Sequence, residues 1–248
     1  VCTVNIPDAA FKSALLNNSA INTNDNSEIE CSEATAFTGA INVSGLSIAD
    51  LTGIEAFTAL TSLDCSNNNI TSLDVSANVN LQTLNCVVNN ISTLNFAPTA
   101  TLQVLWIGNN QIAGNLNISV CTGLTDLNCA NNLLTGISLP VTNTLNVIQC
   151  QGNAITALNT SGNTGLNSLY CSGNQIVSLD LSANTALVNV ACNSNLLNSL
   201  NIQNGNNSNL SSFNATNNPS LTCIQVDNVS DMNTNWSAGK DAGATYSA

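Results

Sequence analysis

Leucine recurs along the chain with a period of 21 to 23 residues, at Leu60, Leu81, Leu102, Leu124, Leu145, Leu166, Leu187 and Leu210. A unit this short cannot bury its apolar face alone, so the copies must stack and share one core. Each copy reads close to LxxLxCxxNxI, as in LTSLDCSNNNI from Leu60 to Ile70, and most continue into a second apolar alternation such as LDV from Leu73 to Val75. A weaker copy lies upstream, with Ile41, Val43, Leu46 and Ile48 in the matching places.

Side chains of a strand point to opposite faces with period two. Leu63 and Cys65 therefore face inward, and Ser62, Asp64 and Ser66 outward. The pattern predicts parallel strands at 40–44, 62–66, 83–87, 104–108, 126–130, 147–151, 168–172, 189–193 and 212–216. An Asn follows the strand of each full copy, at Asn68, Asn89, Asn110, Asn132, Asn153, Asn174, Asn195 and Asn218. Buried at the bend, such an Asn satisfies backbone groups that the turn leaves unpaired. The segments between copies, such as LDVSANVN, alternate like short strands and lack a helical period. On these positions residues 38–222 resemble leucine-rich-repeat proteins. The resemblance implies a solenoid with a parallel concave sheet of about nine strands, a convex side of turns and short extended segments, and a helical N-terminal cap. Residues 1–37 form that cap and 223–248 a C-terminal one.

The ten cysteines divide by register. Cys65, Cys86, Cys129, Cys150, Cys171 and Cys192 share one inward position, which Ile107 and Ala215 fill in other copies. Cys here behaves as a small hydrophobe in a buried thiol ladder. A metal cluster needs convergent ligands, not one Cys per strand at about 4.8 Å spacing. Cys2 and Cys31 bracket the N-terminal segment and are the best candidates for a disulfide. Cys121 has no evident partner, and Cys223 lies in the C-terminal cap.

At the start, IPDAAFKSALL (Ile6 to Leu16) has Pro and Asp ahead of apolar residues at helical spacing and reads as a capping helix. The stretch NTNDNSEIECSE, Asn22 to Glu33, resembles an EF-hand calcium loop, with candidate ligands Asn22, Asn24, Asn26, Glu28 and Glu33 and Ile29 at the apolar eighth position. Asn in place of Asp at the first position, and Ser27 in place of Gly, imply weak affinity. The alternative is a polar cap loop whose acids are solvated. The whole N-terminal run through LTGIEAF resembles the cap of secreted leucine-rich-repeat proteins of Bacteroidetes. The C-terminal LTCIQVD, followed by Trp236 and TYSA, resembles their closing segment. In that family the ending continues into a Cys, so the stop at Ala248 implies a truncation that deprives Cys223 of its partner. A helical, EF-hand-like cap ahead of the repeats is also similar to internalin-type adhesins. That likeness favours binding without naming a ligand. The start at Val1, without an initiator Met or signal peptide, fits a mature secreted form or an excised piece.

Composition narrows the function. Lys12 and Lys240 are the only basic residues, against fourteen Asp and Glu. Phosphate binding needs clustered cations, so nucleic acid is excluded as a partner, and an anionic membrane surface equally. No apolar run approaches the roughly 20 residues of a membrane span. Without His, the Ser–His and Cys–His nucleophile pairs cannot be built. The concave acids Asp64 and Asp126 are three coils apart, roughly 14 Å at strand spacing, against about 5–9.5 Å between glycosidase carboxyls. An enzyme is not expected. The outward face instead presents Trp106 and Tyr170 among Asp64, Asn85, Asp126, Asn128 and Gln149, and exposed aromatics of this kind anchor interfaces. The expected function is an extracellular or cell-surface binding or adhesion module for a protein or polysaccharide. The alternatives are a regular-surface, ice-type binder, against which the irregular outward columns speak, and a passive spacer.

Overall fold

The computed structural model describes residues 1–248 and divides into two compact units, Val1–Ile112 and Ala113–Ala248. In the first, helix α1 (Ala9–Leu16) is capped by Asp8, whose Oδ1 accepts from the Ala10 and Phe11 amides. Its Oδ2 accepts from the amides of Ala49 and Asp50, so one carboxylate both starts the helix and ties it to the first coil. Burial alone would raise the Asp8 pKa, yet these four amides hold it below its ordinary value. Phe11 and Leu15, one turn apart, fill the underside. A second short helix, α2 (Cys31–Ala36), begins in a capping box between Glu30 and Glu33. The Cys2–Cys31 disulfide forms as expected, with 5.5 Å between its Cα atoms. Beside it, the Cys31 amide donates to the Cys2 carbonyl and that of Val4 to Ile29.

The first unit then carries parallel strands Ala40–Asn42, Ser62–Asp64, Thr83–Asn85 and Val104–Trp106, in register. Ser72–Val75 and Thr93–Phe96 pair on the opposite side of the coils. In the second unit the main sheet holds Asp126–Asn128, Val147–Gln149, Ser168–Tyr170, Asn189–Ala191 and Ser212–Asn214. Its other sheets are the pair Ala113–Asn117 with Leu133–Ser138 and the set Ser178–Asp180, Ser199–Asn201, Cys223–Gln225 and Thr245–Ser247. Helix α3 (Val229–Asn235) and a 3-10 turn at Ser237–Gly239 lie between the last two of these strands.

Every strand of the main sheets starts where the alternation places it and ends two residues sooner. The reason is a bend. The residue just before each ladder Asn has a left-handed backbone: Asn67, Val88 and Asn109 in the first unit, and Asn131, Gly152, Gly173, Ser194 and Asn217 in the second. Asn and Gly tolerate this conformation, but a β-branched Val at φ 57° is strained. The ladder Asn then ties the bend to the coil before it. Asn89 accepts from the Ile70 amide and donates to the carbonyls of Cys65 and Cys86. Asn195 does the same with Ile176, Cys171 and Cys192. The amide side chain thus replaces backbone bonds that a sharp turn forfeits.

A second Asn column lies three residues before the repeat leucines, at Asn78, Asn163, Asn184 and Asn207, all buried. Asn78 donates to the carbonyls of Ile54 and Phe57, Asn163 to Pro140, and Asn184 to Thr160 and Asn163. The sequence signal was N-x-x-L in SANVNL, SGNTGL and SANTAL, which the stronger ladder overshadowed. Cys121 occupies this column three residues before Leu124, which accounts for its burial outside the thiol ladder.

Candidate functional site

The six ladder thiols, Cys65, Cys86, Cys129, Cys150, Cys171 and Cys192, are buried and not disulfide-bonded. Burial pushes Cys86, Cys129 and Cys171 up to about 12 and Cys65, Cys150 and Cys192 well above the ordinary thiol value. A thiol so placed carries no thiolate at neutral pH and is inert as a nucleophile or ligand. The ladder is packing material.

On the strand face of the first unit, Asp64, Asn85 and Trp106 form one row. Parallel register sets Asp64 beside Asn85 and Asn85 beside Trp106. Asp64 Oδ1 accepts from the Ser66 amide (3.0 Å) and hydroxyl (2.7 Å), and its Oδ2 accepts from Asn85 Nδ2 (3.0 Å). Both polar side chains are thereby fixed next to the indole. Trp106 remains 38% exposed, whereas Leu105 before it and Ile107 after it are fully buried. The alternation that fills the core therefore also turns this aromatic outward.

The second unit carries the other named residues. Asn128, Gln149 and Tyr170 form a row that continues into Ala191 and Asn214, all outward and partly or fully exposed. Asp126 stands in the parallel row with Val147, Ser168, Asn189 and Ser212. There Asn189 donates to Ser168 (3.0 Å) and Ser212 to Asn189 (2.9 Å), a hydroxyl–amide chain that single-residue reading did not reveal. Asp64 and Asp126 belong to different units. No group of three or more His, Cys, Asp or Glu side chains is arranged to hold a metal ion.

The five candidate calcium ligands serve the loop itself. Asn22, Asn24 and Asn26 each use Oδ1 to accept a nearby backbone amide, of Asn26, Asn26 and Glu28 respectively. Glu28 pairs with Lys12 at 2.7 Å. Glu33 Oε1 accepts from Thr23 and Asn24, and its Oε2 from the Glu30 amide, which is the largest of the bonds holding its pKa low. Each of these residues thus has a side-chain oxygen that already accepts a protein hydrogen bond, and each such oxygen has a second lone pair.

A family model described as leucine-rich repeats (two copies) matches residues 42–98. No curated protein sequence matches the chain. Among solved structures, the functional domain of InlJ from Listeria monocytogenes, described as including a cysteine ladder, superposes with a TM-score of 0.65 at 28% identity. The alignment covers 97% of this chain and 59% of that one, so the chain spans less than two thirds of its neighbour. The TLR13–ssRNA13 complex gives a TM-score of 0.52 at 21% identity over 73% of this chain and 30% of that one. A plant ice-binding protein gives 0.50 at 18% identity over 88% and 84%. The stacked coils, the two Asn columns and the thiol ladder, taken with these likenesses, show that the chain has the leucine-rich-repeat fold.

Proposed function

We propose that this chain is a non-catalytic recognition module that works outside the cell and binds a protein surface or polysaccharide through the strand face of its first unit. The observation that carries the reading is the exposed Trp106 beside the fixed Asp64–Asn85 pair. A rigid aromatic with neighbouring polar groups already in place loses little entropy on binding. The Cys2–Cys31 disulfide supports an oxidising compartment, as is usual for exported proteins. Burial protects seven of the eight unpaired thiols there, while Cys223 is exposed. No helix is long and apolar enough to cross a membrane.

The ice-type reading has the plant neighbour's fold in its favour, but its surface requirement is a regular array. The rows Asn42, Asp64, Asn85, Trp106 and Asn128, Gln149, Tyr170, Ala191, Asn214 repeat only Asn, at irregular intervals, and hold no Thr. The test is a surface-protein and glycan array probed with the parent and with Trp106→Ala, alongside a thermal-hysteresis assay. Signals that vanish in the variant support the reading. Thermal hysteresis without any array signal overturns it.

A further inference from the structure

At the C-terminal end of the second unit a groove of about 440 Å³ is lined by Phe213, Asn214, Thr216, Asn235, Trp236 and Gly239. Its walls are held by bonds that leave the lining amides unspent. The edge beyond strand Ser212–Asn214 is covered by the 3-10 turn, where the Ala215 amide donates to the Gly239 carbonyl at 2.7 Å. Gly239 is needed for closeness, since a Cβ would fall 2.8 Å from the Phe213 ring. Trp236 is anchored through its backbone, donating to the Met232 carbonyl (2.9 Å) and accepting from the Tyr246 hydroxyl (2.7 Å).

The hydrogen-bond inventory is specific. Asn214 uses its carbonyl oxygen to accept from the Thr216 amide and hydroxyl, and its Nδ2 has no protein partner. Asn235 uses its Nδ2 on Asp231 (2.8 Å), and its Oδ1 has none. The Trp236 indole N–H is a further donor. The side chains that line the groove thus carry two donors and an acceptor beside the rings of Phe213 and Trp236, and none of them is charged. A phosphate or carboxylate would be desolvated without a counter-charge, in a chain of net charge −12. A peptide adding as a strand would need the backbone edge that Gly239 already occupies.

From this we infer that the groove binds a single neutral pyranose ring, as presented by an uncharged glycan. Such a ring has an apolar C–H face for the aromatic wall and a rim of hydroxyls that both donate and accept. The volume lies within the range of small-ligand sites. This site is separate from the Trp106 row and does not depend on it.

The test is saturation-transfer NMR on the intact chain with the methyl α- and β-glycosides of glucose, galactose, mannose and N-acetylglucosamine, with glucuronate as the charged control. At least one neutral glycoside should bind saturably and glucuronate should not. Asn214→Ala and Asn235→Ala should each weaken binding about fivefold, the loss of one hydrogen bond, and Trp236→Leu at least about tenfold. A signal lost in the Asn214→Ala/Asn235→Ala double variant belongs to this groove, whereas a signal lost in Trp106→Ala and kept in the double variant belongs to the strand face and overturns the inference. Should Trp236→Leu unfold the C-terminal segment, the Asn214→Ala/Asn235→Ala double variant still decides the matter. The inference is overturned if no neutral glycoside binds, or if the double variant keeps the parent's affinity with an unchanged melting curve.

Discussion

Replacing Asn174 with Ala removes one rung of the Asn ladder and nothing else of consequence. The side chain is buried, its Oδ1 accepts from the Ile155 amide (3.0 Å), and its Nδ2 donates to the carbonyls of Cys150 and Cys171 (3.0 Å each). The two carbonyls keep a donor each, because Asn153 also bonds Cys150 and Asn195 also bonds Cys171. The Ile155 amide keeps none. An orphaned buried donor costs about 1–3 kcal/mol, and each other lost bond about 1 kcal/mol. The expected destabilisation is therefore about 3–5 kcal/mol. Urea denaturation followed by circular dichroism reads the total, and hydrogen exchange at the Ile155 amide reads the local part. Asn193→Ala, on the partly exposed outward face, is the control and should stay within about 0.5 kcal/mol of the parent. If Asn174→Ala also stays within that margin, the ladder does not hold the bends together and the reasoning fails.

Val88→Asn should stabilise the chain by about 1 kcal/mol, because it places a residue tolerant of the left-handed backbone where a β-branched one is strained; a lower denaturation midpoint would contradict this. Folding pushes the Cys86, Cys129 and Cys171 pKa from the ordinary 9.0 to about 12, so their contribution is complete below pH 9 and is lost as pH rises toward 12. Each thiol then removes about 1.4 kcal/mol per pH unit above 9. Urea midpoints should be level from pH 7 to 8 and fall steeply by pH 10, and a flat profile would count against buried protonated thiols. Because the oxygens of Asn22, Asn24, Asn26 and Glu33 already accept protein hydrogen bonds, millimolar calcium should leave the melting temperature where a chelator leaves it. A clear rise with calcium would support the EF-hand reading.

The core of this fold was legible because its rule is strict. Leu63, Cys65, Leu84 and Cys86 sit at positions that period-two alternation and a fixed repeat determine together, and the strand starts and the thiol ladder followed from them. The Asn at 68, 89 and 110 was legible for the same reason. The strand ends were not, since the bend residue varies among Asn, Val, Gly and Ser and only its backbone angle is constant. Asn78, Asn163 and Asn184 escaped notice because other coils place Thr99, Cys121 and Thr142 at the same position, which interrupts the column. The loop from Asn22 to Glu33 shows a different limit. Spacing reveals which oxygens could converge, but only coordinates show that Glu33 Oε2 accepts the Glu30 amide at the start of its own helix. For the strand face, alternation correctly turned Trp106 outward, while the groove beside Trp236 depends on how a turn after residue 235 folds back on Phe213.

Trp106 as a contact residue and Leu105 as a core residue stand one position apart on the same strand. The direct measurement is the affinity of Trp106→Ala for a partner identified on the arrays, taken together with melting curves of Trp106→Ala and Leu105→Ala. The exposed indole leaves no core cavity, so Trp106→Ala should melt with the parent and bind at least about 30-fold more weakly, the loss expected of a central aromatic anchor. Leu105→Ala should lose about 2–5 kcal/mol of stability. Parent-like affinity in Trp106→Ala would show that the strand face of the first unit is not where this protein makes its contact.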